Sequence, residues 1–247
     1  MIAPTTFPDL LARRLRTDPG QPLVTAYDDA SGERTELSVT TYANWVSKTA
    51  NLLVDELGLD EGDTVLLDLP AHWLVPVFLG AAWSAGLTVT TDVSVDHQLV
   101  VSGPFEPGGR PSSAAEVLAC SLLPFAVRFR EPLPDDVIDY GTAWPGQSDV
   151  FAAVLPPTPE TPSWAAPDRT QGDLLRTALA VGHSPGVRLI TDLHPATQEG
   201  VPAFLAPLVH GGSIVLVTNP DDAKWPARHE DERATVGMRA ADQPPSV

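Results

Sequence analysis

The stretch covering residues 38–91 constrains the fold most, because it states one grammar twice: a helical period, a glycine stop and a short apolar run. Tyr42, Trp45, Val46, Ala50, Leu53 and Leu57 recur at steps of three and four. That spacing predicts an amphipathic helix opened by Ser38 or Thr40 and stopped at Gly58. After the acidic turn at 60–63 comes VLLDL at 65–69, nearly continuous in its apolarity, as in a strand covered on both faces. A second apolar helix is predicted from about Ala71 to Ala85, with Gly86 ending it and a strand at 87–91. Strand, helix, strand in that order implies a parallel pair joined by a right-handed crossover.

The rest of the chain extends this pattern. A short helix begins near Pro8 with Thr5 or Thr6 as cap, and a hairpin spans 23–27 and 34–37, at a sheet edge or as a small sheet of its own. One helix is predicted around 114–123, and further strands at 149–155 (DVFAAVL), 187–193 (VRLITDL) and 213–217. Helical patterns lie at 173–181 and 200–209. Together these predict an α/β protein of three layers, a mainly parallel sheet flanked by helices. The 26 prolines among 247 residues are about twice ordinary usage. They collect in loops at 103–113 and 156–167 and toward the C-terminus. The expected organisation is one domain over residues 1–220 and a flexible polar tail at 221–247, with Trp225 as its one large anchor.

Charge and cysteine usage exclude several functions. With 32 acidic against 15 basic residues the chain carries a net charge of −17, and Lys48 and Lys224 are its two lysines. Such a surface repels phosphate backbones and anionic lipid, so neither nucleic acid nor a membrane is an expected partner. Cys120 is the single cysteine, which leaves no internal disulfide and no cysteine-based zinc site. The six histidines show no paired metal spacing, and no metal is expected. No apolar run reaches the roughly 18 residues of a membrane span. The N-terminal residues lack the build of a signal peptide, so the expected location is the cytoplasm.

Within residues 38–92, Tyr42, Gly58, Gly62, Asp63, Val65, Pro70, Gly80 and Gly86 keep a spacing that resembles the adenylate-forming superfamily of acyl-CoA synthetases, adenylation domains and luciferases. The resemblance implies the fold of the N-terminal half of those enzymes, as in a family of truncated AMP-binding-like proteins. It also implies where a nucleotide would sit. In such relatives a strand leads into a Ser/Thr/Gly-rich loop ending in Pro-Lys-Gly, whose backbone N–H groups and lysine hold phosphates. The equivalent span here, residues 156–166 (PPTPETPSWAA), has no glycine and no lysine. Its four prolines lack the donors a phosphate needs, and Glu160 adds a negative charge. The resemblance further places Thr197 where a histidine often stands, with His194 three residues early. Neither the later ATP-site signatures nor the mobile C-terminal domain with its lysine is expected in this chain.

Asp192 and His194 close the 187–193 strand, and strand C-terminal ends are where α/β sheets place ligands. With Thr197 they form the expected ligand pocket. Residues 182–186 (GHSPG) match the G-x-S-x-G elbow of serine hydrolases, with Ser184 as nucleophile. The match is undercut by order, since it follows a helix and precedes a strand, and by Pro185, which has no N–H for an oxyanion hole. The expected function is that of a degenerate, non-catalytic relative of acyl-CoA synthetases. It would act as a binding or accessory protein without cofactor, for a protein partner or a small carboxylate, and a homo-oligomer is allowed. The alternatives are a carboxylate–AMP or acyl-CoA ligase half-site completed by another chain, and a hydrolase using Ser184.

Overall fold

The computed structural model describes residues 3–105 and 115–242. The helix layer begins with α1 (Phe7–Thr17), capped by Thr6, whose hydroxyl accepts from the Asp9 N–H at 3.3 Å. Helix α2 (Val39–Asn51) is capped by Ser38, which accepts from the Thr41 N–H at 3.1 Å, and it runs into a π turn at Leu52–Glu56. Helix α3 (Leu74–Ala85) ends at Gly86 in the left-handed region, φ 77°. These three elements follow the pattern read from their apolar periods.

Among the described residues the strands distribute over two sheets. One has five strands: β1 (Pro22–Asp28), β2 (Arg34–Ser38), β10 (Arg188–Thr191), β11 (Ser213–Thr218) and β12 (Val236–Met238), in the order β12-β10-β11-β1-β2. All its pairings are parallel except the β1–β2 hairpin. The hairpin therefore extends a sheet, with β1 inside and β2 at the edge. The other sheet has seven strands: β3 (Thr64–Asp68), β4 (Thr88–Thr90), β5 (Leu99–Ser102), β6 (Glu116–Ala119), β7 (Val137–Asp139), β8 (Pro162–Trp164) and β9 (Arg169–Thr170). Its order is β7-β6-β5-β3-β4-β8-β9, and only β9 runs antiparallel to its neighbour.

The core lies between the sheets. Leu23, Val24, Leu189 and Ile214 from one sheet and Val65, Leu67, Val89 and Leu99 from the other join a single cluster with the helices. Along VLLDL, Val65, Leu67 and Leu69 face that core, while Leu66 joins a second cluster with Val100, Val117 and Val137 on the far side. Both faces are covered, which is why the run shows no alternation. Helix α3 is buried on nearly every side, and its Gly80 has a physical requirement: an added Cβ would lie 2.8 Å from Val46 Cγ2 and 3.1 Å from Phe7 Cε1. Trp83 of α3 meets Phe7 of α1 at 5.5 Å and Phe204 of α6 (Gly200–Val209) at 6.5 Å between ring centres. The remaining helices are α4 (Tyr140–Ala143), α5 (Gln171–Ala180) and α7 (Trp225–Asp231).

Three expectations are corrected. The helix expected at 114–123 is strand β6, whose Val117, Leu118 and Ala119 are buried between β5 and β7. A short apolar run of this kind fits either element by period alone, and two available neighbours decide it. Residues 149–155 form no strand; the position beside β4 is taken by β8 instead. Residues 221–242 are no loose tail: β12 pairs with β10 in register Leu189↔Val236 to Thr191↔Met238. The remainder of the expected tail, 243–247, and most of the loop expected at 103–113 lie outside the described residues. Among the described residues no helix is long and apolar enough to cross a membrane.

Candidate functional site

Residues 156–166, the span that the resemblance sets at a phosphate loop, bond partly among themselves. The Thr161 N–H donates to the Thr158 carbonyl at 3.1 Å, and the Thr158 N–H donates to the Thr161 hydroxyl at 2.9 Å. The Ala165 N–H donates to the Val89 carbonyl at 3.0 Å. The carbonyls serve structure too: Thr161 accepts from the Gln171 N–H, and Ser163 accepts from the Trp83 indole at 2.9 Å. Prolines at 156, 157, 159 and 162 carry no N–H, and the N–H groups of Thr158, Thr161 and Ala165 are engaged within the protein.

Downstream, β8 and β9 form a hairpin that delivers the chain into α5 through a capping box. The Thr170 hydroxyl accepts from the Asp173 N–H, and the Asp173 carboxylate accepts from the Thr170 N–H at 3.1 Å. Those bonds and the Arg176 ion pair hold the Asp173 carboxyl below its ordinary pKa. Between this hairpin, the end of β4 and the start of α6 opens a cleft of about 330 Å³, lined among others by Thr91, Trp164, Arg169, Leu174, Thr197 and Glu199. Its walls mix apolar and polar side chains and include one cation, Arg169, and one carboxylate, Glu199.

The three residues named from sequence go to different places. Thr197 lines this cleft, and its hydroxyl also serves α6, accepting from the Gly200 N–H at 3.0 Å and donating to the His194 carbonyl at 2.9 Å. His194 joins the sheets: its Nδ1 accepts from the Ala196 N–H, which puts the proton on Nε2, and Nε2 donates to the Leu69 carbonyl at 2.8 Å. Asp192 is bound by the C-terminal segment, accepting from Arg239 Nε at 2.8 Å and from the Ala240 N–H at 2.6 Å. Ser184 stands on an exposed turn between α5 and β10, in the helix-then-strand order that does not suit a nucleophile elbow.

Sequence reasoning missed Trp164, Arg169 and Leu174. A signal existed for their neighbourhood, since Thr170-x-x-Asp173 before an apolar run is a capping box. Nothing in the sequence announced that the preceding residues turn back as a hairpin beside β4.

The two sheets around a shared helix layer define the class. The fold is that of the N-terminal part of acyl-CoA synthetases. The acyl-CoA synthetase of Brucella canis superposes with a TM-score of 0.75 at 17% identity, over 95% of this chain and 47% of that one. A Mycobacterium tuberculosis fatty acyl CoA synthetase gives 0.70 at 13%, over 94% and 49%. The N-terminal domain of FACL13 from the same organism gives 0.69 at 13%, over 94% and 62%. The chain thus spans about half the length of the first two. No protein-family model matches the sequence. A TIGR03089 family protein of Mycobacterium tuberculosis (strain ATCC 25618 / H37Rv) is 36% identical over 242 residues, which cover 95% of this chain and 99% of that protein, and the chain belongs to that family.

Proposed function

We propose that this chain is a non-catalytic relative of acyl-CoA synthetases, a binding or accessory protein that holds a small carboxylate in the cleft beside α6 without activating it. One observation carries the reading: the span at 156–166 combines four prolines with N–H groups bonded inside the loop. A triphosphate would meet Glu160 and find no ring of donors there. The cleft offers Arg169 to a carboxylate and Trp164 and Leu174 to an apolar body, a composition suited to binding. Calorimetric titration with ATP and magnesium is expected to give no saturable heat. Micromolar binding, or release of pyrophosphate in the presence of a carboxylic acid, refutes the proposal.

A second reading, a ligase half-site completed by another chain, draws on the chain spanning 47% and 49% of the two synthetases. It requires that ATP binding appear once the completing chain is added.

A further inference from the structure

We propose that a second cleft, where the C-terminal strand ends of the two sheets converge, binds a small organic cation bearing a hydrogen-bond acceptor, of which an amino alcohol is the simplest form. The cleft measures about 250 Å³. It is bounded by the end of β1 at Asp28, the end of β11 at Thr218 and Asn219, the turn after β3 at His72 and Trp73, and Leu122. It lies apart from the cleft beside α6 and shares no lining residue with it.

Two carboxylates set its charge. Asp28 accepts from the Ala30 N–H at 3.0 Å, the Ser31 hydroxyl at 2.7 Å and the Asn219 amide at 2.8 Å, bonds that hold its carboxyl below the ordinary range and keep it ionised. Glu33 accepts from the Thr35 hydroxyl through one oxygen, at 3.2 Å, and its other oxygen has no partner among the described residues. Among the described residues no lysine or arginine lines the cleft. The cations around it are already paired: Arg34 with Glu36 and Glu232, Arg228 with Asp29 and stacked on Tyr27, and Lys224 with the Asp29 carbonyl at 3.0 Å.

His72 and Trp73, both lining residues of the cleft, each carry an N–H without a partner among the described residues. His72 Nδ1 accepts from the Leu74 N–H at 3.3 Å, so the neutral ring carries its proton on Nε2, which has no partner among the described residues. Burial keeps that ring neutral, with its pKa lowered to about 4. Trp73 is 3% exposed, and its indole N–H also lacks a partner among the described residues. Such a donor set asks for an oxygen acceptor, as the carboxylates ask for a cation. A bare metal ion suits the cleft poorly, because no group of three or more His, Cys, Asp or Glu side chains gathers among the described residues.

The test uses three molecules of one size: 4-aminobutan-1-ol, butane-1,4-diol and 4-hydroxybutyrate, titrated into the full chain and followed by proton–nitrogen correlation spectra. The amino alcohol is expected to saturate in roughly the millimolar range, as befits so few atoms. It should move the Trp73 indole and Asn219 amide signals. The neutral and anionic analogues should bind about tenfold more weakly, and Glu33→Gln should weaken the amino alcohol several-fold with the rest of the spectrum unchanged. Equal binding of all three, or shifts confined to Arg169 and Thr197, overturns the proposal. Neither result bears on ATP, which reports on residues 156–166 alone.

Discussion

Residues 149–157 and residues 221–242 both lie at the margin of the fold, and each behaves against its composition. The first is apolar, yet Val150, Val154 and Leu155 are 72%, 93% and 63% exposed. It is held mainly by Phe151, which packs on the core, and by Asn51, whose amide donates to the Ser148 and Val150 carbonyls at 2.9 and 3.0 Å. The second is polar, yet it is fastened over the outer face of the five-stranded sheet. Glu232 is buried there and accepts from Tyr27, Arg34 and Arg188. Arg228 pairs with Asp29 and stacks on Tyr27 at 3.8 Å, while Arg239 stacks on Trp225 at 4.1 Å. The difference teaches that apolar content earns a place in a sheet only where a strand edge is free. A charged segment can be part of the body when every buried charge finds its opposite.

The sharpest way to break this comparison is Glu232→Ala. It removes the buried one of the two carboxylates that Arg188 and Arg34 share, leaving them Glu36, and urea denaturation should show a loss of roughly 3 kcal/mol. Acid should do the same gradually. The Glu232 carboxyl is held below its ordinary pKa of 4.5 by hydrogen bonds from Tyr27, Arg188 and Arg34, which outweigh its desolvation. A depressed folded-state value means the contribution is complete above the unfolded value and disappears as pH falls through the folded one. In the variant, that part of the acid dependence should vanish. An unchanged midpoint and an unchanged acid limb would mean that the segment is the loose tail its composition describes.

A smaller effect is expected from Asn51→Ala, which frees two carbonyls of the 149–157 strap. The cost should be about 1–2 kcal/mol, with faster amide exchange confined to residues 148–157. The smallest is Val154→Ser, within about 0.5 kcal/mol of wild type, because its side chain has little contact to lose. A large loss there would show that the exposed valine is covered by something in solution.

Much of the fold was legible. Gly86 as a stop, the β1–β2 hairpin and the parallel β3–α3–β4 unit follow from local pattern, which also narrows the caps to Thr5 or Thr6 and to Ser38 or Thr40; the structure selects Thr6 and Ser38. Strand β12 was not legible: three residues, Val236-Gly237-Met238, have no period, and only the edge of β10 gives them a partner. Of the residues named for a site, Thr197 reaches the cleft, whereas Asp192 and His194 are occupied by Arg239 and by the Leu69 carbonyl. All three stand near a strand end, and sequence position does not tell which of them has a neighbour within hydrogen-bonding distance.

The chain's own residues set the α/β class, the helix stops, the negative net charge, and the lack of glycine and lysine in residues 156–166. These depend on residue type and on contacts along the chain. Only the tertiary structure decided that the strands belong to two sheets around one helix layer, that β8 rather than residues 149–155 lies beside β4, and that a polar C-terminal segment is pinned by ions. These outcomes depend on which strand edges and which opposite charges lie within reach, and distant parts of the chain supply both.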